Sequence, residues 1–436
     1  MNKLQNYIKK NKVTIKVIIL LFIAKFLGFI KNIFLAKFYG TTIISDSYQM
    51  ALSIAMIIIG IVLYSYQAFT KGFFISSKEN RESQYTSSFI NFISIILLLL
   101  VCIVILNPNL IIHLFAPGFN ELQVSYTREL MLPIIIGTCF LVISNILSEY
   151  LRCKESYIIP QLCYLVINII EILTIYLAFY ANYKWLAYGY FIANLTYLII
   201  LLIIAFKNNL KYYFNIYKKD VSNFYIILMP VFVSSIITDL NSMIDKIFAS
   251  KSEIGIISTL SYSTNIKTVT LIIAAGILTV LFPKISKKYV EKDYQGFNKT
   301  IFKTLKIIVC IYIPLTIFVI VFANIIVKIV YFRGAFDIDS LNSTTKCLQM
   351  YIIGITGISI RDLFIKALYC MEKGKIIILI SAISVFLNVV LNYILYSKLG
   401  YIGLPLATSI SVWIIIPILI IYYLKIIKVT IKKNSK

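Results

Sequence analysis

Apolar runs of about 20 or more residues follow one another along nearly the whole chain, broken by short segments rich in Lys, Asn, Gly and Pro. A helix needs about 20 apolar residues to cross a bilayer, and runs of this length predict helices, since strands are shorter. About twelve spans are expected, over roughly 13–36, 44–67, 87–109, 127–150, 157–180, 184–206, 222–249, 254–283, 305–331, 345–370, 375–397 and 401–425. The first run, KVTIKVIILLFIAKFLGFIKNIFLAKFYG, holds Lys25 and Lys31 well inside it. A Lys at mid-bilayer costs roughly 2.5–3.5 kcal/mol on insertion scales. Such residues usually face a polar cavity, and a cationic cavity in a chain of transporter size points to an anionic cargo.

Composition fixes the class. With 60% hydrophobic residues and a mean hydropathy of +0.89, the chain reads as an all-α polytopic membrane protein. The basic start MNKLQNYIKKNK resembles a signal n-region, but the run after it is too long and lacks a small-residue cleavage site. The net charge of +24 is topological. Cations gather at the ends of the even-numbered spans: Lys78 and Arg81, Arg152 and Lys154, Lys207 to Lys219, Lys284 to Lys292, Lys373 and Lys375, and the tail KIIKVTIKKNSK. The positive-inside rule then puts both termini in the cytoplasm and adds attraction to anionic membrane lipids. This distribution argues against nucleic acid as a partner. The seven cysteines form no CxxC pair and the single histidine is His113, so no metal site or cofactor is expected. Five of the 42 basic residues are Arg, a bias toward Lys that weakens any argument from Lys standing where a relative has Arg.

The chain repeats itself at a shift of about 213–217 residues. IKNIFLAK (30–37) aligns with IDKIFASK (244–251), and IISDSY (43–48) with IISTLSY (256–262). Phe119 and Phe336 are each followed 18 residues later by Gly137 and Gly354. Cys153-Lys154-Glu155 matches Cys370-Met371-Glu372, and Gly189 and Ala193 match Gly403 and Ala407. Two six-helix halves are therefore expected, 1–217 and 218–436, joined by the loop KNNLKYYFNIYKKD. An even number of spans per half gives both the same orientation. Transporters commonly place cargo at such a repeat interface.

Several segments carry a family resemblance. AKFLGFIKNIFLAKFYGTTIISDSYQMA resembles the first two helices of the lipid II flippase (MurJ/MviN) family. IIHLFAPGF (111–119), NSMIDKIFAS (241–250), TVLFPKISK (279–287) and YFRGAFD (331–337) fit its later motifs in order. The resemblance implies the multidrug/oligosaccharidyl-lipid/polysaccharide exporter superfamily: two six-helix bundles forming a V-shaped central cavity. It also implies translocation of an undecaprenyl-diphosphate-linked glycan, such as the lipid II peptidoglycan precursor, across the bacterial inner membrane. The family's first-helix arginines fall at Lys25 and Lys31, its following acidic residue at Asn32, and its paired second-helix arginines near Ile59 and Gly60. An Arg of the eighth helix falls near Thr264 or Asn265, with Lys267 the nearest cation. Lys gives a diphosphate a point charge and not a bidentate fork. An O-antigen or capsule repeat unit stays open as an alternative cargo.

The candidate residues follow. Lys25, Gly28 and Asn32 share one helical face, with Lys31 about 120° round the helix from Lys25; Lys25 and Lys31 are diphosphate contacts or, for Lys31, a snorkelling interface residue. Asp46 is a gate, a partner for Lys37, or an N-cap. Lys267, mid-span, is the second half's contribution to the anion site. Asp239 binds a coupling Na⁺ or H⁺ or pairs with a cavity Lys, whereas Asp245 and Lys246 read as structural. Adjacent on a helix, Arg361 and Asp362 are about 100° apart and expected not to pair; with Glu171, expected to pair across helices, they form a gate network.

Function classes separate on these features. Multidrug exporters of the same architecture place acids in the cavity, and here it is basic. A glycan polymerase or ligase needs a catalytic exterior loop, yet 109–126 and 332–344 are short, with no convergent acid–base set. No GxxxxGK[ST] occurs, so energy is expected from the membrane potential, an ion gradient or cargo consumption. The chain is expected to be a monomeric transporter and not an enzyme, with cell-envelope biosynthesis proteins as further partners.

Overall fold

The computed structural model describes residues 12–63, 65–217 and 240–434. Helices account for most of them, and nine stretches of the described residues are long and apolar enough to cross a membrane. Two compact units emerge, Met1–Asp239 and Leu240–Lys436. The expected boundary after residue 217, most of the expected seventh span and Asp239 lie among or beside residues 218–239, outside the described residues.

The first unit contains α1 (Lys12–Tyr39), α2 (Ile43–Leu63), α3 (Tyr66–Ser77), α4 (Glu82–Leu106), α5 (Pro108–Phe115), α6 (Glu121–Cys153), α7 (Ile158–Tyr180) and α8 (Trp185–Lys207). The second contains α9 (240–249), α10 (Ile256–Val290), α11 (Tyr294–Tyr331), α12 (Ile338–Ile353), α13 (Ile355–Cys370), α14 (Gly374–Leu399) and α15 (Gly403–Asn434). Sequence periodicity overlooks two breaks. The expected span 44–67 ends at Leu63, and a separate α3 follows it. The span 345–370 is divided at Gly354 into α12 and α13.

The repeat motifs prove to be punctuation. Phe119 and Phe336 are both buried, and each immediately precedes an N-cap. Asn120 accepts from Gln123 N at 2.9 Å within a capping box, and Asp337 accepts from Ser340 N at 2.8 Å. Both devices satisfy amide groups that a helix start leaves open. Gly137 and Gly354 serve close approach. A Cβ on Gly137 would lie 3.1 Å from the Phe191 backbone, and one on Gly354 would lie 3.0 Å from that of Ser409.

The loop after α8 is not loose. Residues 211–217 run without helix along α4, whose Ser83, Ser87 and Asn91 recur every four positions and so share one face. Lys211 N donates to Ser83 Oγ at 3.1 Å and Tyr213 N to Ser87 Oγ at 3.1 Å. Asn91 Nδ2 donates to Tyr213 O at 2.8 Å, and Tyr217 N donates to Ser88 Oγ at 2.9 Å. Side chains of an apolar helix thus replace water for an extended strap.

Candidate functional site: one charged centre in each unit

In the first unit, α1 packs on α7 because Gly28 carries no side chain; a Cβ there would already touch Asn168 Oδ1 at 3.3 Å. One turn along each helix, Lys31 Nζ meets Glu171 Oε2 at 2.6 Å. The Glu171 side chain is 5% exposed and that of Lys31 22%. The phenols of Tyr48, Tyr164 and Tyr190 lie within electrostatic reach of Glu171. Asn168 Nδ2 is buried with no hydrogen-bond partner among the described residues, one turn before Glu171. Lys31 therefore turns inward to a carboxylate instead of snorkelling out.

The remaining first-unit candidates separate from this pair. Lys25 is exposed. Asn32 Nδ2 donates to Gly28 O at 3.0 Å, so its amide serves its own helix. Asp46 is buried, 1% exposed, and occupies the fourth position of α2, so it adds a negative charge to the helix's first turn but does not cap it. Lys37 is exposed, its Nζ 5.2 Å from the centre of the Phe38 ring.

The second unit builds its centre from five helices. Asp245 on α9 is 5% exposed. Asn392 Nδ2 of α14 donates to Asp245 Oδ1 at 2.7 Å, and Thr408 Oγ1 of α15 donates to Asp245 Oδ2 at 2.8 Å. Asn392 also donates to Asn388 Oδ1 at 3.1 Å, and Asn388 donates to Thr408 Oγ1 at 3.2 Å, closing a ring. Tyr351 of α12 joins two charges. Its hydroxyl donates to Asp245 Oδ2 at 3.5 Å, and Lys267 of α10 places Nζ 4.1 Å from its ring centre. A desolvated cation over an aromatic face is worth about 2 kcal/mol. The charges acting on Lys267 are Asp245 and Arg361.

Asp245, read as structural, is the hub of this hydrogen-bond network. One reading changes. Arg361 and Asp362 do pair, Nη2 to Oδ1 at 3.0 Å; the long guanidinium stem wraps around the helix and cancels the 100° offset. Sequence reasoning passed over Asn388, Asn392 and Thr408. The available signal was the i, i+4 amide pair inside an apolar span, since polar side chains at that depth are costly without partners.

The repeat register relates the two centres. IKNIFLAK over IDKIFASK sets Lys31 against Asp245, and the Cys153/Cys370 register sets Glu171 against Asn388. One fold position holds a cation in the first unit and an anion in the second.

Comparisons with known proteins agree with this architecture. The chain is 24% identical over 445 residues to a probable lipid II flippase MurJ of Rickettsia prowazekii, covering 96% of this chain and 84% of that relative. A counterpart from Thermotoga maritima is 22% identical over 405 residues, covering 89% and 80%. Among solved structures, a lipid II flippase MurJ in an inward closed conformation superposes with a TM-score of 0.83 at 24% identity, covering 96% of this chain and 91% of that one. An inward-facing multidrug transporter of the MATE family follows at 0.75 and 12% identity, covering 95% and 96%. The fold is thus shared with these two transporters. The model of the family described as lipid II flippase MurJ matches residues 11–436. A match along nearly the entire chain, together with its apolar helices, makes this multi-pass bacterial inner-membrane protein a member of the lipid II flippase MurJ family.

Proposed function

We propose that the protein translocates a polyprenyl-diphosphate-linked saccharide, lipid II in the first instance, across the inner membrane by alternating access. The observation that carries this reading is the family match over residues 11–436. Each unit also contributes a membrane-embedded lysine, Lys31 and Lys267, whose burial cost a diphosphate would offset. Glu171 acts as the resting counter-charge of Lys31. The cargo diphosphate displaces it, and its return ejects the diphosphate. Asn168 Nδ2, buried beside the pair and without an acceptor among the described residues, donates to a phosphate oxygen in the loaded state. Cations at the ends of the even spans set both termini in the cytoplasm.

Asp245 is a second candidate for coupling to Na⁺ or H⁺ beside the expected Asp239, which lies outside the described residues. The Asp245 carboxylate, the Thr408 hydroxyl and the buried Asn392 Oδ1, which has no hydrogen-bond partner among the described residues, supply the oxygen-rich chemistry a hard cation requires. Asp245→Asn is expected to abolish the dependence of flipping on the ion gradient while Lys31→Ala abolishes flipping itself.

The test is rescue of cells depleted of their lipid II flippase, with Lys31→Ala and Lys267→Ala as paired controls at matched protein levels. Rescue that needs both lysines supports lipid II as cargo. Failure by a stably inserted protein refutes lipid II and moves the assignment to an O-antigen or capsule repeat unit.

A further inference from the structure

A second feature lies away from both charged centres, at the far end of α10. At 35 and 38 residues, α10 and α11 are about 52 and 57 Å long, well beyond the ~30 Å hydrocarbon core. Their emerging ends enclose an open cleft of about 940 Å³. Its walls change character along the helix axis. Ile277, Leu281 and Ile307 line one end, and Lys284, Lys287, Lys288 and Lys303 line the other, with Glu291 as the acid among them. From Ile277 to Lys284, where the basic wall begins, the rise is about 10 Å, room for the upper part of an acyl chain beneath its headgroup.

The four lysines are not equally engaged. Lys288 Nζ donates to Gly296 O at 3.1 Å and Thr300 Oγ1 at 3.0 Å, which fixes it at the cleft wall. Lys287 is 3.6 Å from Glu291. Lys284 and Lys303 have no ion-pair or hydrogen-bond partner among the described residues. The cleft therefore offers an apolar channel that ends in uncompensated positive charge.

We infer that this cleft holds one anionic phospholipid of the surrounding leaflet, its acyl chain along Ile277, Leu281 and Ile307 and its phosphate at Lys284 and Lys303. The order of apolar and basic walls matches the order of parts in an amphiphile, and the charge is of the right sign. An abundant lipid is the fitting occupant, and the scarce diphosphate cargo is not. The lysines are exposed point charges without a guanidinium fork, a weak site that fills only when its ligand is plentiful. Lipid held here braces the two long helices where they leave the membrane. The inference does not depend on what the protein transports.

Gly276 supplies a clean probe. It lines the cleft, and a Cβ placed on it meets nothing within 4 Å, so the side chain of Gly276→Leu starts in open space and narrows the apolar end. The full chain in nanodiscs would be exchanged into phosphatidylglycerol, phosphatidylcholine or undecaprenyl diphosphate at equal mole fraction, and the retained lipid counted by native mass spectrometry. Wild-type protein is expected to retain phosphatidylglycerol over phosphatidylcholine. Lys284→Ser/Lys303→Ser should reduce that preference about tenfold or more, and Gly276→Leu should lower retention of both phospholipids. Equal retention of the two, or preference unchanged in the double lysine variant, overturns the proposal. Displacement of phosphatidylglycerol by undecaprenyl diphosphate at that mole fraction also overturns it, and makes the cleft a cargo site. The lysines are at the surface, so their variant keeps the test decisive should Gly276→Leu fail to insert.

Discussion

The Lys31–Glu171 pair makes the sharpest demand on the structure. At 2.6 Å and an effective dielectric of about 20, its gross Coulomb attraction is about 6 kcal/mol. Desolvation offsets much of this, and removing one partner of a buried pair costs about 3–5 kcal/mol because the other is left uncompensated. Lys31→Met and Glu171→Gln should therefore each destabilise the purified protein by about 3 kcal/mol, while the double variant loses much less than the sum. Denaturant or thermal unfolding of the four proteins in one detergent closes the cycle, with a coupling energy of at least about 2 kcal/mol expected. Adding pyrophosphate should recover stability in Glu171→Gln more than in the wild type, because the anion meets Lys31 without displacing a carboxylate. Additive losses, within about 0.5 kcal/mol, would refute the pair as an energetic unit. Equal stabilisation of both proteins by pyrophosphate would refute the exchange of counter-charges.

Three further outcomes are expected. Tyr351→Phe keeps the ring beneath Lys267 and should retain transport, whereas Tyr351→Leu removes it and should cost about 2 kcal/mol in a complementation-matched stability assay. Asp337→Ala should cost about 1 kcal/mol as a lost N-cap, with Asp337→Asn largely restoring it. Hydrogen bonds from Ser340 hold the Asp337 carboxyl below its usual range. Its charge-dependent share of stability is therefore present above the unfolded pKa and lost as pH falls through the folded one, below about 4, as a thermal melt against pH will show. Ser87→Ala with Asn91→Ala removes hydrogen bonds worth about 1 kcal/mol each, so trypsin cleavage after Lys211 should accelerate at least tenfold.

Much of the architecture was legible because the bilayer writes it into the sequence. Apolar runs of fixed length follow from transfer energies that act residue by residue, and the cations at alternate ends follow from the positive-inside bias. The cost of burying charge likewise singled out Lys25, Lys31 and Lys267, of which Lys25 is exposed. The partners of Lys31 and Lys267 were not legible, since a carboxylate 140 positions away on α7 meets Lys31 only once Gly28 has let two helices close. The partners of Asp245 were hidden for the same reason: Asn388, Asn392 and Thr408 come from distant spans, and the i, i+4 amide pair marks a polar spot without saying which residue it meets. Arg361 and Asp362 show the opposite error, in which helical geometry was applied to Cα positions and a long side chain crossed the gap. YFRGAFD, read as a family signature, is in its structural content a helix stop, a buried aromatic plug and a cap.

Opposite charges at Lys31 and Asp245, one position in two copies of a repeat, carry a consequence for how such a machine diversifies. A duplicated unit that accepts either sign at its buried centre is a chassis whose chemistry is set by a handful of side chains on two or three helices. One copy can hold a cation at its centre while its twin holds an anion, and neither choice disturbs the scaffold. Gene duplication then supplies division of labour as well as size, and exchanging the two sets of side chains between copies becomes a rational route to a transporter of inverted preference.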